Sequence, residues 1–361
     1  MIGRRLGVYI GDRFLRTILS VFGGIFSLIY LLDFVELLRR AGDTPQATAP
    51  FMAFLSLLRV PSVAEQILPF AFLFGAIWAF IALTRKLELI VARASGVSVW
   101  QFLMPPLLIA LILGIVSVTL YNPLAATLKQ RADRIETRIF GNTGLADHDT
   151  ALWVRQKSVD GQAIIRAERA SDGGSVLAPV SVFVYDDHNS FQERVDADRA
   201  TLQSGFWTLD KARILAPGEE PRAVDAYDLA SDLTPEQVTQ SFVAPDTVSF
   251  WDLPELARRM EIAGLDATGY LMRYQVLLAT PLLFAAMVLI AASFSLRFFR
   301  MGGVARSVAS GVGAGFVLYV ATKLVGDLGT AGFMSPIAAA WSPAIVGVML
   351  GSLYLLHLED G

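Results

Sequence analysis

The sequence contains no cysteine, only three histidines and only five lysines. The absence of cysteine excludes disulfide scaffolds, zinc–thiolate sites and iron–sulfur clusters. Charged residues make up 17% of the chain, whereas a soluble domain carries about a quarter, so an ordinary soluble enzyme is not expected. Apolar residues are abundant instead: 54% of the chain is hydrophobic and the mean hydropathy is +0.52.

Six apolar stretches are long enough to cross a bilayer, whose hydrocarbon core needs about 20 helical residues. They lie near residues 14–38, 63–84, 102–124, 270–296, 304–325 and 336–357. The spacing predicts three membrane helices, a polar insert and three further membrane helices.

The charge distribution predicts the orientation of these helices, because cytoplasmic loops are enriched in Lys and Arg. Residues 125–268 hold 15 Lys/Arg and 24 Asp/Glu, a net charge of −9, while the remainder holds 15 and 9, a net charge of +6. One side of the predicted membrane region collects ten basic residues: Arg4, Arg5, Arg13, Arg16, Arg85, Lys86, Arg93, Arg297, Arg300 and Arg306. We therefore expect both termini in the cytoplasm and the acidic insert in the periplasm, which makes the chain a multi-pass inner-membrane protein.

The insert has the pattern of an antiparallel β domain. Short alternating runs predict strands, and turn clusters rich in Asp, Gly and Pro separate them. The predicted strands are 151–155, 162–167, 181–185, 199–203, 206–210, 213–216 and 223–229. Strands at this spacing are typical of a sandwich, a jellyroll or a barrel.

The predicted fold class is an α-helical membrane protein with six transmembrane helices and a periplasmic all-β, jellyroll-like domain between helices 3 and 4. We place the first transmembrane half at 1–140, the β domain at 141–265 and the second transmembrane half at 266–361.

Motifs for catalysis are lacking. No lysine follows a glycine, so the Gly-x-x-x-x-Gly-Lys-Ser/Thr loop that cradles nucleotide phosphates is absent, and any ATP must be bound by a partner. The histidines at 148, 188 and 357 are scattered; His148 between two aspartates is more typical of a polar loop tip than of a metal site. We expect no catalytic residue, metal site or cofactor in this chain.

The loop after the second span is predicted to contain a short helix over about 85–96. Leu87, Ile90 and Val91 fall on one apolar stripe, while Arg85 and Glu88 are the charges near its start. Two interpretations stay open from the residues alone. Arg85 and Glu88 form an ordinary surface pair, or the helix docks into another protein with Glu88 as an exposed anion.

The same residues resemble a known family. Thr84-Arg85-Lys86-Leu87-Glu88 followed by Ala94-Ser95-Gly96 is similar to the coupling helix of the LptF/LptG permeases, which export lipopolysaccharide. That family also has the same order of elements, namely three helices, a periplasmic β-jellyroll and three further helices. The first helix, from Tyr9-Ile10-Gly11 to Asp33 and Arg39-Arg40, and residues 315–320 resemble LptG members more than LptF members.

The resemblance implies partners and a function. Family members work as a pair, LptG with LptF, on two LptB subunits that bind ATP and Mg²⁺, together with LptC. ATP hydrolysis then moves lipopolysaccharide from the membrane to the periplasmic jellyrolls. The chain would be a transporter subunit without enzymatic activity of its own.

The resemblance also implies roles for individual residues. Glu88, with Arg85, Leu87, Ile90 and Val91, would couple the chain to the ATPase. Anionic headgroups would be bound by Arg39, Arg40, Arg131, Arg134 and Arg273. A lateral gate would be formed by Phe22, Phe26, Ile29, Gly311 and Gly315. Interfacial anchoring, local ion pairs and lipid contact are the ordinary alternatives for these side chains.

Asp33 departs from the family pattern, which often has a basic residue near the outer end of helix one. It pairs with an arginine, binds a divalent cation, or reflects a substrate of altered charge. A different function also stays open, namely a membrane scaffold or signalling protein that presents a β sensor domain. A secondary transporter is disfavoured because the spans are nearly free of charge at mid-depth.

Overall fold

The computed structural model describes residues 4–42, 47–85, 88, 96–140, 152–158, 161–171, 174–186, 190–203, 205–231, 244–262, 266–296 and 304–360. They fall in two compact units. The helical unit comprises Met1–Gln130, Ser249–Trp251 and Leu271–Gly361, and the insert unit comprises Arg131–Val248 and Asp252–Tyr270.

Long helices dominate the described chain. They are α1 (Arg4–Ala41), α2 (Ala49–Arg85), α3 (Val99–Val116), a π-helical turn (Ser117–Tyr121), α4 (Asn122–Phe140), α5 (Leu253–Ile262), α6 (Thr268–Ser295), α7 (Val304–Thr330) and α8 (Pro336–Asp360). Six helices are long and apolar enough to cross a membrane, with α3, the π turn and α4 counted as one. The predicted number of helices able to cross a membrane is confirmed for the described residues.

Two of the helices are much longer than the apolar stretches that revealed them. α1 has 38 residues and α2 has 37, so each is about 55 Å long at 1.5 Å per residue, against a hydrocarbon core of about 30 Å. The predicted second span began at residue 63, because Arg59 and Pro61 lower the hydropathy of the preceding turns. Helix α2 nevertheless includes both of them.

Two residues, Gly96 and Ser98, mark the start of α3. Gly96 has φ +84°, a left-handed conformation that glycine adopts without steric cost. Two residues later, the Ser98 hydroxyl accepts a hydrogen bond from the Gln101 amide and caps α3.

The core of the helical unit is apolar and tightly packed. Phe72 of α2 stacks on Phe284 of α6 with ring centroids 4.1 Å apart. Helix α1 approaches α2 where Gly75 faces Ile18, since a Cβ at Gly75 would lie 2.8 Å from the Ile18 side chain and 3.0 Å from its Cα. A side chain at Gly75 would push the two helices apart.

The described residues of the insert unit form nine strands: β1 (Leu152–Ser158), β2 (Gly161–Ala167), β3 (Ala170–Ser171), β4 (Val176–Leu177), β5 (Val180–Tyr185), β6 (Phe191–Ala197), β7 (Arg199–Gln203), β8 (Phe206–Leu215) and β9 (Arg222–Ala230). All pairings are antiparallel in the order β1-β2-β5-β6-β8-β7-β4-β3, with β9 also on β8. The predicted antiparallel β region between the helices is confirmed; its jellyroll arrangement and periplasmic location stay predictions.

Strand β8 joins what the sequence predicted as two strands. Its first half pairs with β7 and its last residues pair with β6. Lys211 lies between them with φ +52°, and the buried positions change there from Trp207 and Leu209 to Ala212 and Ile214. This left-handed residue shifts the alternation by one, which is why the pattern looked interrupted.

Strand β6 was not predicted. Its sequence carries Glu193, Arg194 and Asp196, and only Val195 and Ala197 are buried. With so few buried positions, the apolar alternation that identifies a strand is weak.

The core of the insert unit surrounds Trp207, which is fully buried. We predict that Trp207→Ala destabilises this unit by about 3–5 kcal/mol, because it removes a large side chain and leaves a cavity. Limited proteolysis of the purified full chain over a temperature series would show an earlier loss of protection. Phe191→Ala is the matched control, since Phe191 is 42% exposed; equal protease resistance of both variants would contradict the prediction.

Candidate functional site: polar clusters of the helical unit

The first cluster joins the start of α1 to the loop after α2. Arg13 Nη1 lies 3.2 Å from both carboxylate oxygens of Glu88, and the Tyr9 hydroxyl donates to the same oxygens at 3.2 and 3.1 Å. Arg13 Nη1 also donates to the Tyr9 hydroxyl at 3.0 Å. Three side chains therefore form a closed triangle, which we call the Glu88 cluster.

The sequence of α1 explains why the two donors converge. Tyr9 and Arg13 are spaced i,i+4, so they lie on the same face of the helix. Ile10 and Phe14 are buried in the core, and Phe14 stacks on Phe80 of α2 at 6.2 Å. This packing holds the Tyr9–Arg13 face beside the end of α2, from which the chain continues to Glu88.

The Glu88 cluster is only partly shielded from water. The side chains of Arg13 and Glu88 are 20% and 32% exposed. Screening limits the strength of such a pair to about 1 kcal/mol. Because a carboxylate can accept several hydrogen bonds, the exposed part of Glu88 can accept a further donor while Arg13 stays bound.

The other predicted coupling residues are less informative. Arg85 ends α2 and is exposed. Leu87, Ile90 and Val91 lie outside the described residues, so the amphipathic helix over 85–96 stays a prediction. Glu88 itself is helical, and its recorded ion pair is with Arg13 of α1 rather than with Arg85.

A second cluster lies on α2 at Glu65, about 30 Å along the helix axis before its last residue, Arg85. It is at the end of the helical unit where α4 leaves this unit. Glu65 of α2 accepts from Arg273 Nη2 of α6 at 2.9 Å and from the Asn122 side-chain amide of α4 at 3.0 and 3.2 Å. The Glu65 side chain is 9% exposed and Asn122 is 1% exposed. We call this the Glu65 cluster.

The Glu65 cluster also holds the chain where it returns from the insert. The side-chain oxygen of Asn122, Oδ1, accepts a hydrogen bond from the Phe250 backbone amide at 2.9 Å. The Phe250 ring stacks on the Tyr274 ring with centroids 5.4 Å apart. The Trp251 indole donates to the Thr119 carbonyl at 3.2 Å. The Asn122 side chain therefore donates to Glu65 through its NH2 group and accepts from Phe250 through its oxygen.

The π-helical turn Ser117–Tyr121 directly precedes Asn122. Such turns interrupt the regular hydrogen-bond ladder and are frequent at functional positions. Tyr121, at its end, donates to the Pro61 carbonyl of α2 at 2.9 Å. This hydrogen bond joins the π-helical turn to α2 one helical turn before Glu65.

Asp33 is paired with an arginine, which was one of the three explanations left open. The Asp33 carboxylate of α1 lies 3.7 Å from Arg59 Nε of α2, with the side chains 15% and 30% exposed. The distance is at the long end for an ion pair. Asp33 Oδ2 is buried without a hydrogen bond within the described part of the chain.

The predicted headgroup arginines differ in their environments. Arg39 is 78% exposed and pairs with Glu36 at 2.8 Å, and Arg40 is also exposed. Arg131 and Arg134 are exposed on α4, within the insert unit. Arg273 is instead engaged in the Glu65 cluster, so its recorded contact is structural.

The predicted gate residues mostly face the chain's own core. Phe22, Phe26 and Ile29 are half-buried, and Phe22 lies 6.0 Å from the Phe26 ring and 6.1 Å from the Tyr121 ring. The exposed apolar face of α1 is a neighbouring one, formed by Leu28, Leu31, Leu32 and Val35.

The two gate glycines bring α7 close to other helices of the same chain. A Cβ at Gly311 would lie 3.2 Å from Phe294. A Cβ at Gly315 would overlap the Leu73 side chain, with its Cδ1 at 2.9 Å and Cγ at 3.1 Å. These positions therefore set the approach of α7 to α6 and to α2.

A resident metal finds no support in the described ranges, where no group of three or more His, Cys, Asp or Glu side chains could hold one.

Sequence reasoning missed Tyr9, Arg13, Glu65, Asn122 and Arg59. Glu65 offered a usable signal, because an acid within an apolar stretch needs a partner and is a functional candidate by default. The partners carried no such signal, since Arg273 is 208 residues from Glu65.

Breaking the Glu65 cluster is expected to destabilise the chain. Arg273→Leu should cost about 3–5 kcal/mol, because it leaves a buried carboxylate without its cation. Adding Glu65→Gln should recover much of the loss, since an amide needs no cation. Thermal unfolding midpoints of the purified chain in detergent would measure both effects.

The control for this series is Arg259→Leu, which removes an exposed i,i+4 pair with Glu255 and should cost no more than about 0.5 kcal/mol. Equal midpoints for Arg273→Leu and Arg259→Leu would show that the Glu65 cluster contributes nothing.

Comparison with known proteins identifies the family. Residues 8–357 match the family described as "Lipopolysaccharide export system permease LptF/LptG". The chain is 25% identical over 358 residues to the lipopolysaccharide export system permease protein LptG of Escherichia coli strain K12, covering 96% of both chains. It is 20% identical over 354 residues to LptG of Haemophilus influenzae, covering 96% of this chain and 95% of the relative. The match spans both sets of membrane helices and the β insert between them, and the chain belongs to the LptF/LptG family of lipopolysaccharide export permeases.

Proposed function

We propose that this chain is a permease subunit of an ABC transporter that extracts lipopolysaccharide from the inner membrane and passes it to a periplasmic bridge. The observation that carries the proposal is the family match over residues 8–357, on a chain with six membrane-spanning helices that flank a β unit. Family membership supports the substrate, and the helices support the location.

Energy would come from a separate subunit. The sequence lacks the Gly-x-x-x-x-Gly-Lys-Ser/Thr motif of nucleotide-binding loops. ATP and Mg²⁺ would therefore be bound by an LptB dimer. Glu88 lies in the loop between α2 and α3 and is 32% exposed, so a partner could reach it. LptF as the second permease and LptC would complete the complex.

The charge distribution supports the orientation. The ends of α1 and α2 near the Glu88 cluster carry arginines, as expected of a cytoplasmic face. The insert would then lie in the periplasm, where a jellyroll-like β unit could receive the lipid, and both termini would lie in the cytoplasm.

Arginines at the opposite end of the helices are proposed to bind the anionic headgroup. Arg39 and Arg40 lie in the last turn of α1, at the end opposite the Glu88 cluster. The Arg39–Glu36 pair is solvent-exposed, and a phosphate could displace Glu36 because guanidinium binds phosphate through two parallel hydrogen bonds. Arg131 and Arg134 are further candidates on α4.

The coupling role predicts that the charge at Glu88 is required for export. In detergent extracts of the native cell, the tagged chain should co-purify with a P-loop ATPase and a second six-helix permease. Glu88→Arg should reduce lipopolysaccharide release from reconstituted complexes at least tenfold, because it places a cation where an anion docks.

Asp12→Arg is the matched control, since Asp12 is an exposed acid near the same end of α1 whose recorded ion pair is with Arg16. Its release rate should stay within about twofold of the unmodified complex. Normal export by Glu88→Arg, or purification of the chain without any ATPase, would contradict the proposed function and favour a scaffold protein.

The headgroup role predicts a loss of affinity when the arginine pair of α1 is neutralised. Arg39→Gln with Arg40→Gln should weaken lipopolysaccharide binding about threefold to tenfold, because charge-assisted hydrogen bonds to phosphate are lost. Photocrosslinking of lipopolysaccharide to the purified complex would measure this.

Arg258→Gln with Arg259→Gln is a closely matched control. It is also an adjacent exposed pair in which one arginine is bound to a nearby glutamate. The same loss in both double variants would indicate a general charge effect and would argue against a specific role for Arg39 and Arg40.

A further inference from the structure

We propose that Tyr9 and Arg13 are positioning residues through which the Glu88 loop moves helix α1 as a rigid lever about a pivot at Ile18. The inference rests on the proposed coupling role of Glu88 and extends it. It names the route by which a displacement at the ATPase side reaches the opposite end of α1.

The first step is the attachment of the loop to α1. Arg13 Nη1 contacts both oxygens of Glu88 at 3.2 Å and the Tyr9 hydroxyl at 3.0 Å. The Tyr9 hydroxyl itself donates to Glu88. Because each member contacts the other two, Glu88 cannot shift relative to α1 without loss of at least two contacts. A displacement of Glu88 therefore pulls on α1.

The second step is the pivot. Ile18 is 2% exposed and lies against Gly75 of α2, where a Cβ would meet it at 2.8 Å. This is a close approach of the two backbones, and neither helix can advance further there. Rotation of α1 about this contact is easier than translation through it.

The third step is the difference between the two arms. Arg13 is five residues from Ile18 and Asp33 is fifteen, which gives arms of about 7.5 Å and 22 Å. A movement of Arg13 is therefore magnified about threefold at Asp33. Helix α1 is continuous from Arg4 to Ala41 and contains no proline, whereas α2, α3, α6 and α8 all do, so α1 can transmit this movement. Gly23 and Gly24 lie on the long arm, and a helix bends most readily at such a pair, so the threefold magnification is an upper limit.

The fourth step is that three polar contacts between the long arm and α2 are long. The Tyr30 hydroxyl reaches the Ala53 carbonyl at 3.4 Å, and the Ser56 hydroxyl reaches the Tyr30 carbonyl at 3.3 Å. The Asp33–Arg59 pair is 3.7 Å long. These distances are at the upper limit for hydrogen bonds and ion pairs. Leu37 and Ala41 are buried near the end of this arm, but apolar contacts are non-directional, so this end of α1 can shift against its neighbours while the pivot holds.

The test uses the reconstituted complex and measures ATP hydrolysis and lipopolysaccharide release separately. Arg13→Ala should leave assembly intact and hydrolysis within about twofold, but should lower the lipid released per ATP at least fivefold. Tyr9→Phe, which removes a single hydroxyl, should lower this ratio about twofold to threefold. Arg13→Lys, which keeps a cationic donor, should restore part of it.

Arg16→Ala is the matched control, because Arg16 is an exposed arginine one turn further along α1 that pairs with Asp12. Its ratio should equal that of the unmodified complex. Combining Arg13→Ala with Glu88→Gln should lower the ratio no further than the worse single variant, because both changes break the same contact.

A distance measurement makes the lever itself visible. The chain has no cysteine, so spin labels can be placed at Leu32→Cys on α1 and Leu57→Cys on α2, both exposed positions. Addition of ATP should change the distance between these labels in the complex, and Arg13→Ala should abolish the change while Arg16→Ala preserves it.

The outcomes separate the two proposals. If Glu88→Arg stops export but Arg13→Ala behaves as Arg16→Ala does in both assays, the lever is wrong and the coupling role stands. If no ATPase joins the complex, or if Glu88→Arg exports normally, both are wrong.

Discussion

A carboxylate removed from water needs partners wherever it lies, and in the helical unit this requirement is concentrated at Glu65. The residue sits in an apolar helix with only 9% of its side chain exposed. Unpaired, it would be too costly to keep ionised. Its partners come from α6 and α4, so satisfying one charge fixes the mutual position of three helices at the end where the chain enters and leaves the insert.

The two polar clusters differ in how far their acidic side chains are exposed to water. In the Glu65 cluster, an acid that is 9% exposed receives hydrogen bonds from a cation and an amide. In the Glu88 cluster, the acid is 32% exposed and water can compete with its partners. The first arrangement suits a permanent joint between helices, whereas the second leaves part of the acid open to a further donor. Between them, the stacked Phe72 and Phe284 rings belong to the apolar core of the helical unit.

The sequence alone was sufficient for features that depend on local pattern. Hydropathy located all six spans, and alternation located most strands of the insert. Alternation did not reveal the charged strand β6, in which few positions are buried. It also divided β8 into two predicted strands, because Lys211 shifts the alternation of buried positions by one residue. The extra turns of α2 before residue 63 were missed because helical structure continues beyond the apolar segment.

The candidate site was harder to predict because its contacts join distant parts of the chain. Glu88 was identified as an important anion, but its partners are 75 and 79 residues away. The arginine at 273 was identified as a cation, but its acid is 208 residues away. Residue type showed which charges needed partners, and only the packing of the helices showed which partners they had.

The choice of an amide at position 122 has a consequence for the chemistry of this joint. Asn122 accepts from one side and donates to the other, and its side chain neither gains nor loses a proton at any pH that a cell surface meets. An aspartate of the same shape would put a second negative charge beside Glu65, and the two acids would then share a proton whose binding depended on the surroundings. With asparagine, the hydrogen bond from the Phe250 amide of the returning chain does not depend on a proton bound at position 122.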